Sequence, residues 1–260
     1  MTISPLKQGF DKELEFIAAD KSISHRFAIF SMLCTDECFA KNYLLAEDTL
    51  NTLTIIALLG ASVQRKADEV RIIAPKKINS PNDILQCGNS GTTMRLFMGF
   101  LAGVDGFFAL SGDRYLNERP MKRVSEPLRA IGAKIYGRMD GNLAPLCIEG
   151  GALKAFEFNS KISSAQVKTA MILAGFRANG VSHFSEPILS RNHSENMLLA
   201  MNAPINLSEN GLKIEISPLT KPLKALNISI PNDPSSAFYF AVAGALVPNS
   251  RVVLKNVLLN

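Results

Sequence analysis

A helix-to-strand junction recurs three times at intervals of about 70 residues, and this repeat restricts the fold more than any other feature. The three copies read LLGASV at 58–63, AIGAKI at 130–135 and AMNAPI at 200–205. Gly60, Gly132 and Asn202 hold the same place in each copy, and these residue types suit the left-handed conformation that ends many helices. A hairpin-like stretch follows each copy. We therefore predict a helix and then two strands at every junction.

A second marker lies upstream of each junction, where a short polar motif opens a helix that is apolar nearly all round. The three helices are KSISHRFAIFSML at 21–33, NSGTTMRLFMGFLAG at 89–103 and SSAQVKTAMILAG at 163–175. Helices of this composition are buried, and strands are predicted after them at 40–45, 107–112 and 181–186. Coincidence between ordinary amphipathic helices is the alternative, but two markers recur in the same order. Three units would place three buried helices side by side, with sheets outside.

The three helix openings share a chemistry that suits an anion. Each has hydroxyls or a glycine at a helix N-terminus, where free backbone N–H groups and the helix dipole favour negative charge. Each also has a cation one turn inside, at Arg26, Arg95 or Lys168, which opposes the dipole. Serine caps with solvated cations would explain any single opening. Three openings in register favour a shared anion site.

Two further polar segments supply candidate anion ligands. The stretch GDRYLNERPMKR holds Arg119 directly before Pro120, which restricts the local backbone. The stretch SRNHSE lies at the corresponding point of the third copy and contains Ser190 and Arg191. Arginine binds carboxylates and phosphates through paired hydrogen bonds, so both segments favour the same class of ligand.

Composition and motifs argue against several other classes of protein. The net charge of +5 comes from dispersed residues that are not interleaved with aromatics, so no nucleic-acid interface is predicted. The longest apolar run, 237–247, is too short for a membrane span, and no signal peptide is expected. Cys34 and Cys38 lie one helical turn apart and could form half of a metal site. No second ligand pair completes it, so reduced cytosolic thiols and no metal are predicted.

Taken in order, these motifs resemble the EPSP synthase (3-phosphoshikimate 1-carboxyvinyltransferase) family. ADKSISHR resembles the family signature Lys-Ser-x-Ser-x-Arg, and CGNSGTTMRL resembles the signature Gly-Asn-x-Gly-Thr-x-x-Arg. LNERPMKR is similar to the segment with the family's phosphoenolpyruvate-binding arginine. SSAQVKTA, SRNHSE and IPNDPSSAFYF are similar to three further family blocks. The resemblance covers residues 19–260.

The resemblance implies an α/β (α+β) fold, an inverse α/β barrel of three repeated units with buried parallel helices and outer sheets. Residues 20–227 would form this complete domain. Residues 1–19 and 228–260 would form two crossing strands and the incomplete start of a second, similar domain. A fourth copy of the unit begins with an apolar helix at 233–246, and the sequence ends at Asn260, before the second helix of that copy. We therefore expect residues 228–260 to be mobile, swapped onto another chain or paired with a further segment.

The resemblance also implies a reaction and its site. An enolpyruvyl group would pass from phosphoenolpyruvate to the 5-hydroxyl of shikimate-3-phosphate, in the shikimate pathway to chorismate and the aromatic amino acids. No metal or organic cofactor is expected, and the intact protein would be a cytoplasmic monomer with no nucleic-acid or membrane partner. Lys21 would be the catalytic residue, in contact with both substrates. The implied substrate-binding residues are Lys21, Ser22, Arg26, Asn89, Gly91, Thr92, Arg119, Ser164, Ala165, Gln166, Ser190 and Arg191.

Within this set the resemblance implies different ligands for different groups. Ser22 and Arg26 would hold the carboxylate side of shikimate, and Gly91 and Arg119 would receive phosphoenolpyruvate. The residues of the third copy would bind the phosphate and a ring hydroxyl. Some members have a serine where this chain has Ala165, so one phosphate contact would be lost or taken over by a neighbour.

Other departures and alternatives remain open. Leu96 stands where some members have proline, which would shift the loop at Gly91. A related enolpyruvyltransferase acts on UDP-N-acetylglucosamine and carries a loop cysteine, but residues 113–120 contain none. A binding module is the second alternative. In that case the chain would bind shikimate-3-phosphate without turnover, because the acid–base carboxylates of the family would lie beyond residue 260.

Overall fold

A computed structural model describes residues 8–259, in which three units share one order of elements. After β1 (Asp11–Leu14), the first unit comprises α1 (Lys21–Ser31), β2 (Cys38–Lys41), α2 (Glu47–Leu58), β3 (Ser62–Lys66) and β4 (Glu69–Ile73). After β5 (Leu85–Gln86), the second comprises α3 (Gly91–Ala102), β6 (Gly106–Ser111), α4 (Lys122–Ala130), β7 (Lys134–Gly137), the single turn α5 (Arg138–Gly141) and β8 (Leu143–Gly150). After β9 (Glu157–Asn159), the third comprises α6 (Ala165–Gly175), β10 (Ser182–Ser185), α7 (His193–Ala200), β11 (Ile205–Leu207) and β12 (Lys213–Ile216). Three further elements follow, β13 (Asn227–Ser229), α8 (Pro234–Leu246) and β14 (Arg251–Leu254).

Each unit builds one four-stranded sheet with the same connectivity. The strand orders are β13-β2-β4-β3, β5-β6-β8-β7 and β9-β10-β12-β11. In every sheet the outer strand that pairs in parallel comes from the chain segment just before or after a unit. Strand β5 joins the first unit to the second, β9 joins the second to the third, and β13 returns from the third to the first. The three sheets are separate, and these shared strands join the units in a ring.

Helices α1, α3 and α6 lie inside this ring, as the apolar pattern predicts. All residues of α3 except Thr92 are buried. Large side chains such as Phe27 and Phe97 are fully buried, and burial of each contributes about 1.5–3 kcal/mol. Gly99 lets α3 approach α6 closely, because a Cβ at this position would lie 2.2 Å from the carbonyl oxygen of Ala170. The prediction of a mixed α/β fold with helices inside and sheets outside is confirmed.

The junction residues end their helices in the way that the repeat indicates. Gly60, Gly132 and Asn202 have φ angles of 102°, 107° and 57°, in the left-handed region. One predicted strand is shorter than expected. Asn42 also has a left-handed φ, 57°, and its side-chain amide donates a hydrogen bond to the carbonyl oxygen of Ile230. This turn ends β2 before the predicted strand is complete.

The segments before α1 and after β13 pack on each other. Strands β1 and β14 pair in parallel. The buried side chain of Asn232 donates hydrogen bonds to the carbonyl oxygens of Glu15 and Lys255 and so connects the two segments. Residues 1–7 and 260 of the predicted outer segments lie outside the described residues.

Helix α8 differs from the three helices inside the ring although its sequence is as apolar. Within α8, which the structure describes completely, only Ala237 is buried. Phe238 and Tyr239 are 63% and 77% exposed. No helix among residues 8–259 has both the length and the apolar character needed to cross a membrane.

Candidate active site

The N-termini of α1, α3 and α6 converge on a cleft that contains two adjoining cavities. The first, of about 230 Å³, is lined by Ser22, Arg26, Thr92, Ser164, Ala165, Gln166, Arg191 and His193. The second, of about 350 Å³, is lined by Lys21, Asp48, Asn89, Ser90, Gly91, Thr92, Arg95, Arg119 and Gln166. We name them the α6 cavity and the α3 cavity. Every site residue predicted from the sequence except Ser190 lines one of the two, and Thr92 and Gln166 line both.

Arg26 is the buried cation of the α6 cavity. Its Nε donates to Ser194 Oγ at 2.7 Å, its Nη1 to the carbonyl oxygen of Ser22 at 3.0 Å, and its Nη2 to Thr169 Oγ1 at 3.0 Å. Burial lowers the pKa of Arg26 to about 10, and the nearby Glu195 carboxylate opposes that shift. Arg26 therefore stays protonated at neutral pH and holds a fixed orientation at the cavity wall.

Two polar side chains at the start of α6 complete the wall between the cavities. Ser164 Oγ accepts a hydrogen bond from the backbone N–H of Val167 and so caps the helix. A hydroxyl that accepts can still donate its own hydrogen to a ligand. Gln166 donates through Nε2 to Thr92 Oγ1 at 2.9 Å and accepts at Oε1 from Arg95 Nη1 at 2.9 Å. Gln166 thus connects a residue shared by both cavities to a cation of the α3 cavity.

The α3 cavity is lined by more cations than anions. Lys21 Nζ lies 3.2 Å from Asp48 Oδ2, and Arg119 donates hydrogen bonds to the carbonyl oxygen and the side-chain oxygen of Asn89. Arg95 is the third cation, and burial together with neighbouring arginines lowers its pKa to about 10. Three cations face one carboxylate, so the cavity suits a small ligand with two negative charges.

Gly91 opens α3 at the floor of this cavity. A Cβ at this position would lie 2.7 Å from Arg95 Nη1 and 3.7 Å from Arg119 Nη1. Absence of a side chain therefore leaves the space in front of both guanidinium groups free. Backbone N–H groups at the start of a helix lack intrahelical partners, and this favours an anion near the first turn of α3.

A network of neutral side chains lies behind the α3 cavity. His25 Nδ1 and Thr52 Oγ1 are 2.8 Å apart, Thr52 Oγ1 and Thr93 Oγ1 are 2.8 Å apart, and Thr93 Oγ1 donates to Ser90 Oγ at 2.7 Å. Burial and the neighbouring cations lower the pKa of His25 to about 3, so the ring is neutral at physiological pH. We name these four residues the His25 network. Since Ser90 caps α3, the network fixes the start of that helix.

A network of charged side chains lies behind the α6 cavity. Lys168 Nζ lies 2.8 Å from Glu186 Oε1 and 2.6 Å from Glu195 Oε1, and it donates to the carbonyl oxygen of Ser190 at 3.3 Å. All three ionic side chains are at most 2% exposed. We name these four residues the Lys168 network.

The Lys168 network bears on two expectations from the sequence. Lys168 was expected to face the shared anion site, and this expectation is wrong. An ammonium in a helix that is buried on all sides needs counter-charges within the protein, and Glu186 and Glu195 supply them. The hydroxyl and the backbone N–H of Ser190 both donate to Glu186 Oε1 at 2.9 Å, so Ser190 is directed at that carboxylate.

Comparison with known families agrees with this geometry. The family model for EPSP synthase (3-phosphoshikimate 1-carboxyvinyltransferase) matches residues 9–260. The chain belongs to the EPSP synthase family. The resemblance of the motifs is thereby confirmed.

Individual relatives lead to the same family. A 3-phosphoshikimate 1-carboxyvinyltransferase of Campylobacter jejuni (strain 81116) is 67% identical over 260 residues, which are 100% of this chain and 61% of that protein. One of Campylobacter hominis is 62% identical over 244 residues, or 94% of this chain and 57% of that protein. The solved EPSP synthase of Acinetobacter baumannii is 34% identical, with a TM-score of 0.88 over 98% of this chain and 57% of that chain. The chain thus spans 61% of the length of the first of these EPSP synthases.

Three acidic side chains at the site were missed by the EPSP synthase motifs and by the repeat. Asp48 lines the α3 cavity from the first turn of α2, and its pairing with Lys21 joins residues far apart in the sequence. A feature of the sequence does predict carboxylates such as Glu186 and Glu195 at this place. A lysine in a helix predicted to be buried requires carboxylates nearby, but the sequence does not say which ones.

The half metal site considered from the sequence has another explanation in the structure. Cys34 Sγ donates to the carbonyl oxygen of Lys224 at 3.5 Å, and Cys38 Sγ accepts from the backbone N–H of Leu226 at 3.3 Å. The neighbouring Cys34 thiol and the backbone N–H of Leu226 lower the pKa of the Cys38 thiol below its ordinary value. These free thiols join the end of α1 to the segment before β13. Residues 8–259 hold no group of three or more His, Cys, Asp or Glu side chains arranged to bind a metal.

Proposed function

We propose that the cleft binds shikimate-3-phosphate and phosphoenolpyruvate for enolpyruvyl transfer, as the names of its relatives indicate. The observation that carries the proposal is the meeting of two cationic cavities at three helix N-termini. Shikimate-3-phosphate would occupy the α6 cavity. Phosphoenolpyruvate would occupy the α3 cavity, where Lys21, Arg95 and Arg119 outnumber Asp48.

The proposed reaction uses charged and polar side chains. Carbon 3 of phosphoenolpyruvate takes up a proton, and the 5-hydroxyl of shikimate-3-phosphate attacks carbon 2 as it loses its own proton. The resulting tetrahedral adduct then loses phosphate from carbon 2 and a proton from carbon 3, which restores the double bond. Lys21 lines the α3 cavity, which shares Thr92 and Gln166 with the α6 cavity, so its ammonium would lie near both proposed substrates. Fixed cations around developing charge lower the barrier because they require no reorganisation.

Binding without turnover is a second candidate for the chain by itself. The chain spans 61% of the length of the Campylobacter jejuni relative. Asp48 is the carboxylate lining the two cavities in the described part of the chain, and it is paired with Lys21. A proton donor for carbon 3 and a base for the 5-hydroxyl would then come from the part of the family's length that this chain does not span.

The proposal extends to organisation and location. Residues 20–227 would form an independent domain, supported by the ring in which β13 returns to the first sheet. Residues 8–19 and 228–259 would belong to a second domain, with β1 and β14 paired. The intact protein would act as a cytoplasmic monomer on small-molecule substrates, with no nucleic-acid or membrane partner.

Calorimetric titration of the chain with shikimate-3-phosphate tests the binding step. In the same titration with phosphoenolpyruvate also present, Lys21→Ala should weaken binding by at least about tenfold, since it removes a charge contact. Its free energy of unfolding should change by less than about 0.5 kcal/mol, because Lys21 forms only a partly exposed ion pair. Lys66→Ala removes the same charge from an exposed hairpin and is the control. No binding by the wild-type chain would overturn the proposed function.

A further inference from the structure

Lys168 is tied to both sides of Arg191, although it does not line either cavity. On one side its Nζ donates to the carbonyl oxygen of Ser190 at 3.3 Å. On the other side it pairs at 2.6 Å with Glu195, in the first turn of α7. A lysine ammonium has three N–H donors. Its third acceptor is Glu186, at 2.8 Å, so each donor has one partner.

Glu186 strengthens the same attachment. Its Oε1 accepts hydrogen bonds from both the backbone N–H and the hydroxyl of Ser190, at 2.9 Å each. The peptide that precedes Arg191 is therefore held at its N–H by a carboxylate and at its carbonyl by an ammonium.

Arg191 needs such anchoring because its own side chain is exposed. A long exposed side chain samples many rotamers, so its guanidinium stays near a ligand only if its backbone is fixed. Arg191 nevertheless lines the α6 cavity together with Arg26. The hydrogen bonds of Arg26 also lie beside the Lys168 network. Arg26 donates to Thr169, which is next to Lys168, and to Ser194, which is next to Glu195.

Stability alone does not account for three buried charges at this place. Buried ion pairs cost desolvation, and well-packed apolar residues of similar volume are often as stable or more stable. The Oε2 atoms of Glu186 and Glu195 are buried and have no hydrogen-bond partner among residues 8–259, which adds to that cost. In some proteins such buried charges are retained because they fix one particular geometry.

We infer that Lys168, with Glu186 and Glu195, is a positioning residue that fixes the segment of Ser190 and Arg191 for the phosphorylated substrate in the α6 cavity. This inference rests on the proposed function, because the substrate is the one proposed there. Lys168 acts through Arg191 and makes no substrate contact. Loss of the ammonium should therefore weaken shikimate-3-phosphate binding and leave the α3 cavity unchanged.

The test uses the chain with Lys168→Met and Glu195→Gln combined, titrated with shikimate-3-phosphate. This pair removes one charge of each kind from the network, and Glu186 keeps both hydrogen bonds from Ser190, so the fold is expected to persist. Binding should weaken by about tenfold, because misplacement of a functional group by about 1 Å can cost up to about a hundredfold. Phe108→Leu, a fully buried change in the second unit, controls for loss of stability and should bind normally.

A mutant cycle with Arg191→Ala separates positioning from a general structural role. If Lys168 acts through Arg191, adding the double change to Arg191→Ala should cost less than about a further twofold. If the combined variant instead loses affinity by the product of the two separate losses, the inference is overturned. Amide hydrogen exchange supplies a readout without substrate: segment 186–192 should exchange about tenfold faster in the double variant and not in Phe108→Leu.

The outcomes distinguish the two proposals. If the wild-type chain does not bind shikimate-3-phosphate, the proposed function fails, and the inference fails with it. If the wild-type chain binds and the Lys168→Met/Glu195→Gln variant binds equally well, only the inference fails. Unchanged exchange in segment 186–192 would likewise overturn the inference alone.

Discussion

The two cavities of the cleft are supported in opposite ways. Behind the α3 cavity, the His25 network joins three helices through an imidazole that burial keeps neutral and through three hydroxyls. Behind the α6 cavity, the Lys168 network joins a helix, a loop and a second helix through an ammonium and two carboxylates. Both networks are buried, and both end at residues that begin or precede a helix at the cleft.

The difference follows from what each network has to hold. The start of α3 is already restricted by its helix, so a capping hydroxyl and weak neutral contacts are sufficient. The segment before α7 is a loop without strand or helix hydrogen bonds at Ser190 and Arg191. Charge-assisted hydrogen bonds are roughly twice as strong as neutral ones. A loop that carries an exposed arginine therefore requires the stronger kind.

The largest expected difference between the networks is in stability. Lys168→Met leaves two buried carboxylates without a cation and should lower the free energy of unfolding by about 3–5 kcal/mol. Thr52→Val removes a neutral hydrogen-bonding partner from the His25 network and should cost only about 1–3 kcal/mol. Urea unfolding of both variants at pH 7 measures the two losses. Equal losses of unfolding free energy, or a larger loss for Thr52→Val, would show that the Lys168 network does not contribute more to stability than the His25 network.

The next effect is the response to pH. The folded pKa of His25, about 3, lies below its ordinary value of 6.5, so only the unfolded state gains this proton as the pH falls through that window. The contribution of His25 is complete above pH 6.5 and is lost towards pH 3, at up to about 1.4 kcal/mol per pH unit. Burial and nearby cations also lower the pKa of His193, to about 4, so part of the slope belongs to the α6 cavity.

His25→Gln separates the two histidines. It removes one titrating group from the neutral network and should flatten the dependence of unfolding free energy on pH between 6.5 and 5. The remaining slope should come from His193 and the carboxylates. Urea unfolding at pH 7, 6 and 5 gives the slopes of wild type and variant. An unchanged slope in His25→Gln would contradict a depressed pKa for this side chain.

The smallest expected effect is that of Gly91→Ala, which tests which substrate each cavity binds. Gly91→Ala places a Cβ 2.7 Å from Arg95 Nη1, so the guanidinium must move within the α3 cavity. In a full-length family member with this substitution, KM for phosphoenolpyruvate should rise by about tenfold or less, while KM for shikimate-3-phosphate stays within about twofold. Gly151→Ala is the matched control, because a Cβ there meets no atom within 4 Å. A selective rise in KM for shikimate-3-phosphate would reverse the assignment of the cavities.

Much of this architecture could be predicted from local sequence. Residues such as Gly60 and Gly132 mark helix ends because few residues other than glycine adopt a left-handed φ at low cost. Ser90 and Ser164 mark helix starts because their hydroxyls accept from backbone N–H groups two to three residues on. Apolar residues on every face predict burial. These rules act within a few residues, so the repeat of the units and the convergence of their openings were readable from the chain itself.

Contacts between distant segments were decided only by the tertiary structure. The opening cations Arg26 and Lys168 look alike in the sequence, yet one faces the α6 cavity and the other lies between two carboxylates. Helix α8 shows the same limit, since its apolar sequence predicts burial while Phe238 remains 63% exposed in residues 8–259. Sequence pattern determines which side chains must leave water or find a counter-charge. Which surface or which carboxylate meets them depends on the packing of segments far apart in the chain, and no local periodicity encodes that choice.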